Sequence, residues 1–261
     1  MHTGKPILVN GKPLGDGRLP AICTPLVGRT REQVLAEVAL VVTKQPDLLE
    51  WRVDFFQSIG NVAAVVALAG EIRGAAGGIP VLFTRRSTKE GGEPIPLNEE
   101  QVVALIEAVC ASRTVELVDF EMNNDPAHIA QVRAAAQAHG VGLVLSFHNF
   151  QSTPSQEVLS QRFAQAQQLG ADVAKIAVMP QRLEDVLSVL GATLESSQTL
   201  NIPVVSMAMG GYGALTRLFG WAFGSAMGFA VGVTASAPGQ VSIEDMNTVL
   251  GILQKSMEPR K

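Results

Sequence analysis

The sequence predicts a (β/α)8 barrel, an α/β fold in which eight parallel strands alternate with eight helices. Three observations lead to this prediction. Eight short apolar segments recur along the chain, a helical pattern follows each of them, and the length of 261 residues is usual for such a barrel. An open doubly wound sheet is the alternative, but no Gly-x-Gly-x-x-Gly motif follows the first strand. Without a linker or an internal repeat, residues 1–261 are expected to form a single domain.

The predicted elements alternate from the first strand to the last helix. The strands are Ala21–Leu26, Leu48–Asp54, Pro80–Thr84, Val115–Glu121, Gly142–Phe147, Val173–Val178, Pro203–Met207 and Gly228–Val233. The helices are Arg31–Lys44, Ser58–Ile72, Asn98–Cys110, Pro126–His139, Ser155–Leu169, Leu183–Leu200, Gly213–Gly224 and Ile243–Lys255. Ahead of them, Asn10-Gly11 separates two short apolar runs, which is typical of a β-hairpin. We expect this N-terminal hairpin to close the bottom of the barrel.

Composition narrows the classes of function and location. The net charge is -4 and no basic stripe is present, so nucleic acid is not an expected partner. The uncharged stretch Leu218–Ile243 imitates a membrane helix, but its glycines, Ser225, Thr234 and Pro238 dilute its hydrophobicity, and no membrane span is expected. Cys23 and Cys110 form no CxxC motif. They are interpreted as buried thiols of a cytoplasmic protein that lacks a signal peptide and a metal site.

One lysine stands in an apolar strand. Lys175 is the only charged residue between Asp172 and Arg182, and β-branched residues flank it. A lysine in such a strand must find a counter-ion or give up its proton, and a neutral amine attacks carbonyl groups. Lys175 is therefore either a Schiff-base lysine or a snorkelling lysine whose head reaches water or a partner.

Other polar residues occur where predicted strands end, which in this fold is where active sites lie. Arg86 and Glu90 follow the third strand, His148 ends the fifth, and Arg217 follows the seventh. Glu50, Arg52 and Asp54 alternate at the end of the second strand, and this set alone could be a structural ion network. Alone, His148 could be a core histidine, Met207 a packing residue and Glu90 a loop charge. Together these residues indicate an anionic carbonyl substrate, imine chemistry and proton transfer.

The motifs resemble those of the type I 3-dehydroquinate dehydratases over nearly the whole chain. The resemblance rests on the segments Glu50–Asp54, Phe83–Glu93, Ser146–Phe150, Lys175–Pro180, Ser206-Met207 and Ser236–Gln240. It implies conversion of 3-dehydroquinate to 3-dehydroshikimate without a metal or other cofactor, and it implies a homodimer.

The resemblance also implies a role for each site residue. Lys175 would form the imine, His148 would act as base and then acid, and Glu90 would orient His148. Arg217 would hold the substrate carboxylate. Glu50, Arg52 and Arg86 would bind hydroxyl groups, Ser236 and Gln240 would belong to a closing lid, and Met207 and Phe229 would be apolar walls.

Three positions depart from the family pattern. Asn149 stands where aspartate is expected, Arg85 where an apolar or aromatic residue is common, and the loop Gly210–Thr216 departs from the usual Gly-x-x-Gly-x-x-Ser-Arg pattern, although Thr216 keeps the hydroxyl of the serine. Two other functions remain open at this point. A Schiff-base aldolase on the same barrel would need a phosphate-binding loop near the last strands. A non-catalytic barrel would bind a ligand without turnover.

Overall fold

The computed structural model describes residues 5–14 and 20–257, and these residues form the predicted barrel with its N-terminal hairpin. The strands are β1 (Leu8–Val9), β2 (Lys12–Pro13), β3 (Ala21–Leu26), β4 (Leu48–Arg52), β5 (Val81–Thr84), β6 (Leu117–Glu121), β7 (Gly142–Asn149), β8 (Val173–Val178), β9 (Val204–Ala208), β10 (Met227–Val231) and β11 (Val241–Ser242). The helices are α1 (Arg31–Val42), α2 (Val62–Ala75), α3 (Glu99–Ser112), α4 (Pro126–His139), α5 (Gln156–Gln168), α6 (Leu183–Thr199), α7 (Ala214–Phe219) and α8 (Ile243–Met257).

The eight barrel strands are parallel, with β10 beside β3 and then β4 to β9 in chain order. Between β9 and β10 the ring closes through a parallel bridge from Val204 to Ser225 and a 2.8 Å hydrogen bond from Ala226 N to Val204 O. The short strand β11 pairs with β10 and was not predicted. All strands therefore point their carboxyl ends to one mouth, where their polar residues meet.

Side chains alternate between the inside and the outside of the barrel. Outward residues pack against the helices in the largest apolar cluster, with Trp51 and Phe83 among its fully buried members. Inward residues form a second cluster at the bottom that includes Leu48, Leu82 and Leu117. Two-residue periodicity thus gives each strand one face for the core and one face for the barrel interior.

The hairpin packs against the bottom of the barrel. Ile7 and Leu14, on either side of β1 and β2, are buried in the same cluster as the lowest inward residues of the strands. Asn10 and Gly11 take the left-handed backbone conformation, with φ of 51° and 75°, that a two-residue hairpin turn requires. The predicted hairpin is confirmed.

Several predicted elements begin or end a few residues away from their observed bounds. The second predicted strand stops at Arg52, because a 3₁₀ turn over Val53–Phe55 takes Asp54 off the strand. The fourth predicted strand begins two residues too early, because Glu116 precedes β6 at the bottom of the barrel, where it accepts a hydrogen bond from Val81 N. The seventh predicted helix is broken, since α7 ends at Phe219 and a 3₁₀ turn over Gly220–Phe223 follows.

Both cysteine thiols lie in the interior, as the sequence analysis expected. Cys23 and Cys110 are buried and free. None of the helices in the described ranges combines the length and hydrophobicity needed to cross a bilayer.

Candidate active site

A cavity lies at the carboxyl ends of the strands. All eleven residues that the sequence singled out line it, namely Glu50, Arg52, Arg86, Glu90, His148, Lys175, Met207, Arg217, Phe229, Ser236 and Gln240. The structure adds Gly91, Phe150, Ala177, Met209 and Ala237 to the lining. Every barrel strand except β3 and β6 contributes a lining residue directly or through its following loop.

Lys175 is buried, with 4% of its surface exposed, and its ammonium group is paired inside the barrel. Nζ donates to Asp119 Oδ2 at 3.2 Å and lies 3.5 Å from Glu50 Oε1. It also lies 4.4 Å from the centre of the Phe229 ring, within the range of a cation–π contact. The amine is therefore anchored by two carboxylates and one aromatic face, away from bulk water.

Asp119 connects Lys175 to a buried network on β5, β6 and β7. It accepts hydrogen bonds from Arg86 Nη2 at 2.7 Å and from Ser146 Oγ at 2.6 Å. Burial alone would raise the pKa of Asp119, but the charges of Arg86 and Lys175 outweigh it and hold that pKa below its ordinary value. Asp119 is thus an anion that can receive a hydrogen bond from the amine of Lys175.

Arg86 is held in place by carboxylates. Its guanidinium contacts Asp119, Glu121 Oε1 at 3.2 Å and Ser146 Oγ at 2.8 Å. Burial opposes its charge, but the carboxylates outweigh burial and raise the pKa of Arg86 above its ordinary value. Arg52 is fixed in a similar way, because two of its nitrogens donate to Asp54 at 2.8 and 2.7 Å. Asp54 therefore orients Arg52. Glu50 does not join this ion pair and instead accepts a hydrogen bond from Thr84 Oγ1 at 3.0 Å.

His148 and Glu90 form a pair beside this network. His148 Nδ1 lies 2.9 Å from Glu90 Oε2, and the same oxygen accepts from the backbone N–H of His148 at 3.0 Å. Burial and the charges of Arg86 and Lys175 hold the pKa of His148 well below its ordinary value, so the imidazole is neutral near pH 7. Burial, reinforced by Glu121, raises the pKa of Glu90 to about 8. The pair is consequently uncharged or singly negative near neutral pH rather than an ion pair.

The loop that carries Glu90 depends on two glycines. Gly91 has a φ of 84°, and a Cβ there would stand 2.3 Å from the Phe150 ring. A Cβ on Gly92 would stand 2.0 Å from the carbonyl oxygen of Arg86. Only glycine lets the chain double back so closely, and this path brings Glu90 under His148.

One contact at the site involves a residue that the sequence reasoning missed. Asn123 Nδ2 donates to Glu90 Oε1 at 2.9 Å. Asn123 follows the end of β6 by two residues, so the rule that located the other site residues could have found it. Nothing in its residue type singled it out, because asparagine in a polar loop is common.

Arg217 differs from the other buried arginines of the described ranges. Arg52, Arg85 and Arg86 each pair with a carboxylate, whereas Arg217 donates only to the Pro238 carbonyl at 3.2 Å and to Met207 Sδ at 3.8 Å. Its Nε is buried without a hydrogen-bond partner, and burial lowers the pKa of Arg217 to about 10. A buried guanidinium without a carboxylate is costly, so this position is prepared for an anionic group.

The segment Ser236–Gln240 contributes Ser236, Ala237 and Gln240 to the cavity lining. Gln240 Oε1 accepts from Ser236 N at 2.9 Å, which closes the segment on itself. Gly210 N donates to Pro238 O at 3.3 Å, and a Cβ on Gly239 would stand 2.2 Å from Gly210 O. The segment therefore rests against the loop after β9 as well as on Arg217.

The three departures from the family pattern make local contacts. Arg85 points away from the interior and pairs with Glu99 at the start of α3. Asn149 Oδ1 accepts from the backbone of Gln151 and Ser152 and shapes the following turn. Thr216 Oγ1 accepts from Ala208 N at 2.8 Å and donates to Gly213 O at 2.9 Å, which fixes the loop before Arg217. In the described part of the chain, no three acidic, histidine or cysteine side chains are placed to hold a metal ion.

Comparison with known proteins assigns the chain to a family. Residues 22–257 match the family described as type I 3-dehydroquinase. The chain belongs to this family. A 3-dehydroquinate dehydratase from Albidiferax ferrireducens is 62% identical over 98% of this chain and 97% of its own length, and one from Aromatoleum aromaticum is 52% identical over 99% of both.

Solved structures of the same family share the fold. The 3-dehydroquinate dehydratase from Geobacillus kaustophilus superposes with a TM-score of 0.95 at 51% identity, covering 98% of this chain and 99% of that one. A type I 3-dehydroquinate dehydratase from Clostridium difficile with covalent modified comenic acid superposes with a TM-score of 0.92 at 36% identity, covering 97% and 100%. As a type I 3-dehydroquinase, the protein is a hydro-lyase.

Proposed function

We propose that this type I 3-dehydroquinase dehydrates 3-dehydroquinate to 3-dehydroshikimate through an imine on Lys175. One observation carries the proposal: an amine, a neutral imidazole and a guanidinium without a carboxylate line the same cavity, at Lys175, His148 and Arg217. These three groups match the ketone, the acidic C–H and the carboxylate of the substrate. The proposed reaction requires no cofactor.

Substrate orientation follows from the charges around the cavity. Arg217 binds the carboxylate through its planar fork, which replaces the weak contacts to Met207 and Pro238. The ring hydroxyls meet Glu50, Arg52 and Arg86, which are already held by Thr84, Asp54 and Asp119. Met207 and Phe229 are apolar walls. Because these polar side chains are already fixed before binding, ordering them costs little entropy when the substrate binds.

Imine formation begins with loss of a proton from Lys175, for which Asp119 and Glu50 are the nearest acceptors. The amine then attacks the ketone carbon, and the carbinolamine loses water to leave an iminium ion. The covalent modified comenic acid of the Clostridium difficile relative agrees with a site that forms covalent adducts.

His148 performs the proton transfers. As a neutral base it removes a proton from the carbon next to the iminium, and the resulting enamine expels the hydroxyl group. The same histidine, now protonated, gives its proton to the departing oxygen, so that water leaves. Hydrolysis of the remaining imine releases 3-dehydroshikimate and restores the Lys175 amine. Ionised Glu90 accepts from Nδ1–H and keeps the other ring nitrogen free for these steps.

The segment Ser236–Gln240 serves as the lid. It packs against the loop at Gly210, and this contact can hold it over the cavity after the substrate carboxylate has replaced Pro238 O at Arg217. Closure excludes bulk water while the iminium exists.

We also propose that the chain works as a single domain in a cytoplasmic homodimer. Three apolar side chains are exposed on the neighbouring helices α5 and α6, namely Val158 (40%), Leu183 (54%) and Leu187 (66%). Such an apolar surface can be buried against a second copy of the chain. Sedimentation velocity tests this directly, and a monomer at micromolar concentration would contradict it.

The central experiment is borohydride trapping during turnover of 3-dehydroquinate, with the conjugated product followed in the ultraviolet. Reduction should attach product mass to the peptide that contains Lys175, and Lys175→Ala should abolish both turnover and trapping. His148→Ala should slow turnover by about 10²–10⁴-fold yet still allow trapping. Labelling of another lysine in active enzyme would reject the imine assignment, and cleavage of a carbon–carbon bond would indicate an aldolase instead.

A further inference from the structure

Glu90 divides its two carboxylate oxygens between two partners. Oε2 faces His148, where it meets both the backbone N–H and Nδ1. Oε1 accepts from Asn123 Nδ2 at 2.9 Å. Asn123 is exposed and its side chain is absent from the cavity lining, so it reaches the site only through this bond.

The protonation state of Glu90 decides which nitrogen of His148 can act as a base. Ionised Glu90 accepts from Nδ1–H, which leaves the lone pair on Nε2. Protonated Glu90 instead donates to Nδ1, and the ring proton then resides on Nε2, where it blocks the base. The asparagine amide can donate to Oε1 in either state, but a carboxylate oxygen accepts a stronger hydrogen bond than a neutral carboxyl oxygen, so the amide favours the ionised form.

Several charged groups surround Glu90 and act on the same equilibrium. Burial and the anions Glu121 and Asp119 disfavour ionisation, while Arg86 and the amide of Asn123 favour it, and the pKa of Glu90 is raised to about 8. The charged and titratable groups around the pair of Glu90 and His148 are Arg86 on the loop of Glu90, Arg52 at the end of β4, Asp119 and Glu121 on β6, and Lys175 on β8.

We propose that Asn123 is a positioning residue of the reaction: its amide orients Glu90 and stabilises its ionised form, and thereby raises the fraction of His148 in the tautomer that removes the substrate proton. This inference rests on the proposed role of His148. It extends that role to a residue outside the cavity lining.

The test is the pH profile of kcat/KM for two nearly isosteric variants. Asn123→Leu removes the donor, and Asn123→Asp replaces it with an anion. Both changes are at an exposed position, so the fold should survive. The acid limb of the profile should move to higher pH by about half to one unit in Asn123→Leu and further in Asn123→Asp, with the high-pH plateau within about threefold of wild type. Asn123→Gln keeps an amide donor, so its midpoint should lie closer to that of wild type than the midpoint of Asn123→Leu does.

Asn124→Leu is the matched control. Asn124 occupies the same loop but donates to the backbone carbonyl of Glu121 instead of to Glu90. Its profile should keep the midpoint of wild type even if the plateau falls. Equal midpoints in wild type, Asn123→Leu and Asn123→Asp would overturn the inference, as would a uniform loss of activity at all pH values. Failure of the proposed function is seen separately, as full turnover in His148→Ala.

Discussion

Glu90→Gln isolates the energetic cost of a buried carboxyl group. Glutamine has the same shape, so its carbonyl can accept from His148 N while its amide meets Asn123 Oδ1 after a flip of that exposed side chain. The substitution therefore removes an ionisable group and few contacts. We expect a more stable but less active protein.

The magnitude follows from the pKa of Glu90, which burial raises from 4.5 to about 8. At pH 7 this group is ionised in the unfolded chain, whereas it is protonated in most of the folded molecules. The separation of about 2.5 pH units at about 1.4 kcal/mol each makes wild type about 3 kcal/mol less stable than the variant.

The sign of the pH dependence is equally specific. A raised folded pKa gives stability that is present below 4.5 and is lost as the pH rises through about 8, because the folded state binds more protons in that window. The stability difference between Glu90→Gln and wild type should be about 1 kcal/mol at pH 5, about 3 kcal/mol at pH 7 and about 5 kcal/mol at pH 9.

The assay is urea unfolding from pH 5 to 9, followed by the fluorescence of Trp51 and Trp221. Glu93→Gln is the control, since Glu93 is half-buried, pairs with Arg29 and should change stability by less than about 1 kcal/mol at any pH. A difference that is constant with pH, or a Glu90→Gln variant that is less stable than wild type at pH 7 to 9, would refute the reasoning.

Three further predictions concern the carboxylate site and the lid. Arg217→Met should raise KM about 10- to 100-fold and leave the melting temperature equal or higher, because the variant lacks a buried charge that has no carboxylate partner. Steady-state kinetics and a thermal melt measure the two effects. An unchanged KM would argue against binding of the substrate carboxylate at Arg217. Gln240→Ala should raise KM and lower kcat/KM about tenfold while borohydride trapping persists. If the kinetic constants equal those of wild type, the segment Ser236–Gln240 only connects β10 to β11 and does not act as a lid. Gly239→Ala places a Cβ 2.2 Å from Gly210 O at a φ of 78°, so the segment Ser236–Gln240 can no longer pack against the loop at Gly210. Amide hydrogen exchange in residues 236–240 of the ligand-bound enzyme should therefore be faster than in wild type. Exchange equal to wild type would contradict a lid that packs against this loop.

Much of the fold was predictable because its signals are local. The two-residue alternation of the strands and the helical periodicity between them located all eight barrel strands and eight helices, with errors only at their ends. Asp54 was misplaced because a 3₁₀ turn and a strand end look alike in a short polar sequence. Glu116 was misplaced because the start of a strand shifts with the partner it meets, here Val81 N.

The sequence also located the members of the candidate site, since one rule places polar residues at strand ends into a common mouth. It did not reveal which of them pair. Asp119 reaches Lys175 across 56 positions and Asn123 reaches Glu90 across 33, and these contacts depend on barrel closure and on the stagger of neighbouring strands. The same holds for Arg217, because its lack of a carboxylate becomes visible only once every other buried arginine of the described ranges has found one. Residue type and strand position are properties of the local chain, whereas charge pairing and the resulting pKa values arise from distances that only the closed barrel sets.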